Sequence, residues 1–159
     1  MSNYDMDCGG NLIRLDGTDL LKIGKENIAN DLLFGLPLED PIIGSLQGYF
    51  KTEIEKTGQY CVYDAHDKHD TMIKYEIKSR RCKHDQYPTT IIPVHKTKVQ
   101  HTTLKFVFHF TTGLYFITYD KFLFETFNVK SVGAYRKQGQ YTYEPHYEIP
   151  IGLLTPIII

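Results

Sequence analysis

The segment 71–79, TMIKYEIKS, alternates between long polar and apolar side chains along its length. Successive side chains of an extended strand point to opposite faces. Ile73, Tyr75 and Ile77 therefore share one face, which is the buried one, and Met72, Lys74, Glu76 and Lys78 share the other. Just upstream, the short apolar run 60–64 (YCVYD) is followed by polar turn material, AHDKHD, at 65–70. The pattern predicts a β-hairpin of Tyr60–Asp64 against Thr71–Ser79, with Asp64 beside Glu76 and Lys78. A solvated strand face also carries alternating charges. Two carboxylates and a lysine on one face, continued by Ser79-Arg80-Arg81, are equally the ingredients of a divalent-metal site that hydrolyses phosphodiesters.

The rest of the chain reads as helix, hairpin, basic connection and further strands. Residues 1–17 are polar and glycine-containing, an arm or short hairpin, and residues 18–34 have helical spacing interrupted by Gly24. Asp40-Pro41 has the form of an N-cap followed by proline at the first helical position. Ile42, Ile43, Leu46, Tyr49 and Phe50 then fall on one face of a helix running to about residue 56. Leu104–Phe110 and Leu114–Tyr119 are aromatic strands joined by Thr-Thr-Gly, and Phe122–Val129 and Tyr141–Ile149 are strand-like stretches with a glycine-containing turn between them. This order predicts an α/β fold with a mixed sheet, in which residues 1–17 form an N-terminal arm and 18–159 a single domain.

At 159 residues such a domain buries a core without disulfide staples. Cys8, Cys61 and Cys82 are too scattered for a disulfide framework and point to a reducing compartment. No apolar run approaches the roughly 20 residues of a membrane span, and the first residues lack the pattern of a signal peptide. The expectation is an intracellular protein without membrane contact. Net charge is −1, so any affinity for nucleic acid rests on local charge. Arg80, Arg81, Lys83 and His84, with Lys96, Lys98 and His101, flank the loop Tyr87-Pro88-Thr89-Thr90 and form a candidate phosphate-backbone track. Tyr87 is placed to stack on a base, and Thr89 and Thr90 to donate to phosphate or to cap a turn. Cys82, His84, His95 and His101 lack the paired second knuckle of a zinc site. Cys61, alternating with the acid face, is expected to be buried.

Several short motifs occur in order: Gly35-Leu36-Pro37-Leu38-Glu39, Val62-Tyr63-Asp64, Tyr75-Glu76-Ile77-Lys78-Ser79-Arg80, Tyr87-Pro88-Thr89-Thr90, Phe110-Thr111-Thr112-Gly113-Leu114-Tyr115 and Tyr147-Glu148-Ile149-Pro150-Ile151. Over roughly residues 35–155 this set resembles the PD-(D/E)xK, or restriction-endonuclease-like, nuclease superfamily, and especially small nuclease-like proteins of large DNA viruses and phages. The resemblance implies a restriction-endonuclease-like mixed β-sheet with an N-terminal helix packed on it and additional antiparallel aromatic-rich strands. It implies a Mg²⁺-dependent endonuclease acting on DNA, with Mn²⁺ as a substitute metal. Asp64 and Glu76 would hold the metal with the backbone carbonyl of Ile77. Lys78 would orient or help deprotonate the attacking water and stabilise charge developing on the phosphate, and Glu39 would be the helix acid. Pro41 favours a helix that begins after Glu39, so Glu26 stands as the other helix acid, while Glu53 and Glu55 fall on the solvated helix end. The resemblance is compatible with a homodimer. The alternative is a catalytically idle member of the fold that serves as a nucleic-acid-binding or virion structural module.

Overall fold

The computed structural model of the chain describes residues 4–6, 12–14, 39–58, 61–98, 102–136 and 139–158. Near the N-terminus β1 (Tyr4–Met6) pairs with β2 (Leu12–Arg14) as an antiparallel hairpin. The helical spacing noted at 18–34, and Glu26 with it, lies outside the described residues.

Helix α1 spans residues 39–50 and starts on Glu39, one residue before the expected cap. Pro41 is tolerated because the first turn leaves its N–H groups without intrahelical partners. Acids at the positive end of the helix dipole are favoured, which suits Glu39 and Asp40. The helix stops well short of residue 56. Lys51 adopts a left-handed backbone (φ 54°), and the chain turns into β3 (Ile54–Lys56). Gln47 secures that turn, since its Oε1 accepts from the Ile54 N–H at 2.9 Å.

The expected hairpin is present but shifted. The strand is β4 (Ala65–Asp67), drawn from the segment read as polar turn, and it pairs antiparallel with β5 (Ile73–Ser79) through Ala65↔Tyr75 and His66↔Lys74. Asp67 makes the shift possible. Its carboxylate accepts from the N–H groups of His69 (2.8 Å) and Asp70 (2.9 Å) and from the Thr52 hydroxyl, so the turn falls after residue 67. Residues 62–64 form bends. Strand alternation therefore does not apply to Cys61, which is exposed rather than buried.

Beyond β5 come β6 (Thr89–Pro93), β7 (Thr103–Phe110) and β8 (Gly113–Thr118). The stretch expected to be strand at 122–129 opens instead as one helical turn, α2 (Lys121–Phe124), because the Asp120 side chain caps it by accepting from the Leu123 N–H at 3.0 Å. Then follow β9 (Asn128–Arg136), β10 (Gln140–Pro150) and β11 (Thr155–Ile157). The fold is mixed α/β with a core made mostly of sheet.

The main sheet has the order β11-β8-β7-β5-β4-β3, with β5 and β7 parallel and central. A second sheet has the order β6-β10-β9. Both faces of β5 and β7 are covered. Tyr75 and Val107 pack with Ile42, Ile43 and Leu46 of α1. On the opposite face Leu104, Phe106 and Phe108 pack with Ile92 of β6, Ile149 of β10 and Phe124 of α2. Burial of each such side chain contributes about 2–3 kcal/mol. Glu76 and Lys78 lie on this second face, in register with Phe106 and Phe108. On this face Glu76 is buried, Lys74 and Lys78 are half-buried, and Met72, just before the strand, is exposed.

Candidate functional site

Glu76 is 2% exposed, so it is not part of a solvated strand face. A carboxylate carried into a sheet interior needs partners, and two lysines supply them. Lys78 Nζ lies 2.7 Å and Lys96 Nζ 3.3 Å from the same oxygen, Oε1. The second oxygen, Oε2, is buried without a hydrogen-bond partner.

Asp64 reaches the same place by a different route. Its backbone N–H donates to the carbonyl of Tyr75 at 3.1 Å, which extends the β4–β5 ladder by one bond. Past that point β5 continues alone on this side, since the β4 register ends at Ala65↔Tyr75. Tyr75 and Ile77 present their backbone groups to the same side of the strand. The Ile77 N–H, left without a strand partner there, donates to Asp64 Oδ2 at 2.7 Å. The Ile77 carbonyl is directed to that same side. Each acid therefore has one engaged oxygen (Glu76 Oε1, Asp64 Oδ2) and one oxygen without a hydrogen bond among the described residues (Glu76 Oε2, Asp64 Oδ1).

The electrostatics agree with this proximity. Burial, then repulsion from Glu76, pushes the Asp64 carboxyl above its ordinary value; the Ile77 N–H and Lys78 act in the opposite sense, and Glu39 adds repulsion. Glu39, at the start of α1, is thus near enough for its charge to be felt at Asp64. Its own carboxylate is engaged by Lys56, whose Nζ lies 3.4 Å from Glu39 Oε2 and 2.9 Å from Asp40 Oδ1. Among the described residues no three His, Cys, Asp or Glu side chains converge closely enough to hold a metal ion. The free oxygens of Asp64 and Glu76, with the Ile77 carbonyl, are the ligand types a hard divalent cation takes, and an orphaned buried carboxylate oxygen is what such a cation would satisfy. Two protein carboxylates with water completing the shell fit this arrangement. Three inner carboxylates including Glu39 do not.

Lys96 belongs to this cluster rather than to an open surface track. Its Nζ also donates to the Val62 carbonyl at 2.7 Å, two residues before Asp64, and its own carbonyl accepts from the Tyr63 hydroxyl at 3.4 Å. The 3-10 turn Val94–Thr97 carries it there. The basic residue was visible in the sequence, but its contact across more than thirty residues was not.

The other basic-loop residues separate into two groups. Arg80 is half-buried and structural in part: Nη2 donates to the Ile91 carbonyl at 2.8 Å, and Nε to Thr90 Oγ1 at 3.5 Å. Thr90 is buried, and the Thr89 hydroxyl faces Glu148 Oε2 at 3.4 Å. Arg81, Lys83, Tyr87 and Lys98 are exposed. No family model, curated protein or solved structure matches the chain.

Proposed function

We propose that the chain is a small metal-dependent phosphodiesterase of the PD-(D/E)xK type that acts on DNA. The observation that carries this reading is the buried Glu76, with one oxygen clamped by lysine and the other orphaned, next to Asp64, whose carboxyl is pushed above its ordinary value. An apolar side chain at position 76 would avoid the cost of that arrangement, so a chemical role is the economical explanation. On this reading Asp64, Glu76 and the Ile77 carbonyl would hold Mg²⁺ or Mn²⁺. When bound, that ion would activate a water and stabilise charge on the phosphate.

The remaining chemistry belongs to the chain. Lys78, fixed on Glu76 in the free protein, is placed to orient the attacking water and to stabilise charge developing on the phosphate oxygens. Lys96 holds the segment before Asp64 against β5 and shares the charge of Glu76. Glu39 acts through its field on Asp64, as a positioning residue. Lys83 and Lys98 lead the phosphate backbone to the site. An intracellular setting agrees with this reading, and among the described residues no helix is long and apolar enough to cross a membrane.

A second reading, a catalytically idle nucleic-acid-binding or structural module, is favoured by one observation: two lysines already compensate Glu76 without a metal. A cleavage panel separates the two. Plasmid, linear duplex, single-stranded and branched DNA, and RNA, are incubated with wild type and with Glu76→Gln, with and without Mg²⁺. The proposal expects Mg²⁺-dependent cleavage of at least one DNA substrate by wild type and none by Glu76→Gln. Binding without cleavage under every condition would leave the idle module.

A further inference from the structure

We propose that the cavity beyond the C-terminal end of β5 is a binding site for a nucleoside 5′-phosphate unit, with the phosphate on Arg80, Lys83 and Lys130 and the base against Phe110 and Ile151. It rests on the DNA reading above only for the choice of a nucleotide as the base-bearing anion. The cavity has a volume of about 580 Å³, in the range of pockets that enclose small molecules. Its lining includes three cations and no acid.

Arg80 is the decisive group. Its two hydrogen bonds, to the Ile91 carbonyl and to Thr90, fix the orientation of the guanidinium but go to neutral acceptors. The guanidinium carbon lies 5.9 Å from the centre of the Phe108 ring. No carboxylate comes within ion-pair distance of it among the described residues, and Nη1 makes no hydrogen bond there. Burial pushes the Arg80 pKa down; the Cys82 thiol acts in the opposite sense, and no carboxylate contributes. A partly desolvated cation without a counter-ion is costly. A phosphate oxygen offers both the charge and an acceptor suited to the planar fork.

Lys83 reaches the cavity from the loop after β5, and Lys130 from β9 in the second sheet. Their side chains are exposed, which leaves them able to turn toward an anion. Inorganic phosphate alone would leave the rest of the lining unused. Phe110, 2% exposed, and Ile151 form an apolar floor, and Tyr87, 57% exposed, stands at the rim where a base can stack on it. A phosphate joined to a flat apolar ring uses both halves.

The test is a calorimetric titration of the full chain in EDTA with dAMP, deoxyadenosine and inorganic phosphate. Saturable dAMP binding is expected, about tenfold or more tighter than either fragment. Lys130→Glu, a change at an exposed position whose fold is to be checked by circular dichroism, should weaken dAMP about tenfold or more. Arg80→Lys, which keeps the charge but loses the fork, should also weaken it. Competition by a 5′-phosphorylated single-stranded oligonucleotide identifies a strand end as the source of the nucleotide; dAMP binding without such competition identifies free nucleotide. Absence of saturable dAMP binding up to millimolar concentration, equal binding of deoxyadenosine, or an unaltered affinity in Lys130→Glu would overturn the proposal. The readout needs no metal and no turnover. Binding of dAMP by a wild type that cleaves nothing would retire the phosphodiesterase reading and keep this site, and cleavage without dAMP binding would do the reverse.

Discussion

Asp64 sits where a carboxylate is costly unless a cation joins it, and Asp64→Asn exposes that cost. Burial and the Glu76 charge raise its pKa in the folded chain. A raised folded pKa means that the protonated form is favoured on folding. The associated stability is fully present below the unfolded pKa and is lost as pH rises through the folded one. At pH 8 in EDTA the wild type therefore carries the whole penalty. Asp64→Asn removes the charge and keeps an acceptor for the Ile77 N–H, although replacing a charge-assisted bond by a neutral one costs about 1 kcal/mol. The upward direction of the pKa says that desolvation and repulsion outweigh that bond. A net gain of about 1 kcal/mol is expected, or roughly 2–4 °C in Tm for a chain of this size. Thermal melts followed by circular dichroism measure it. The gap should narrow as pH falls through the raised Asp64 pKa, where wild type takes up the proton that cancels its penalty. Mn²⁺ at about 100 times its Kd should stabilise wild type by about 2.7 kcal/mol and leave Asp64→Asn unmoved, reversing the order. A less stable Asp64→Asn protein at pH 8 in EDTA, or a gap independent of pH, would refute the argument.

Three further outcomes follow from the same geometry. Phe124→Ala removes a fully buried ring lying 4.9 Å from Tyr119 and 5.0 Å from Phe127, and should cost about 3–5 kcal/mol in urea denaturation at unchanged slope. Asp67 is held below its ordinary pKa by the Thr52 hydroxyl and by the Asp70 and His69 N–H groups; its contribution is present above the unfolded pKa and lost as pH falls through the folded one, so Asp67→Asn should flatten the acid limb of a Tm-against-pH profile. Lys83→Ala combined with Lys98→Ala should reduce the log–log salt slope of DNA binding by about two, whereas an unchanged slope would make both lysines ordinary surface charge.

Much of the architecture was legible because period-two alternation is strong in β5, β7 and β10. The same alternation puts Glu76 and Lys78 on one face of β5, whereas Asp64 comes near them from a bend, through its hydrogen bonds to Tyr75 and Ile77. Other features depended on contacts that local pattern does not encode. Ala65-His66-Asp67 looks like turn material, and it becomes strand because Asp67 caps the following turn and Ala65 fits against Tyr75 in the core. The burial of Glu76 is produced by the second sheet, whose strands arise well downstream. Lys96 reaches Glu76 only because the 3-10 turn Val94–Thr97 folds over the segment before Asp64. The one-turn helix α2 did carry a local signal, the Asp120 cap, which the apolar run after it obscured.

In the proposed mechanism Lys78 acts on charge that develops only in the transition state. Single-turnover cleavage of the best DNA substrate by Lys78→Ala, with Mn²⁺ and DNA affinities measured on the same protein by calorimetry, tests it most directly. Cleavage is expected to be abolished while both affinities stay within a few-fold of wild type. Cleavage at the wild-type rate would contradict it.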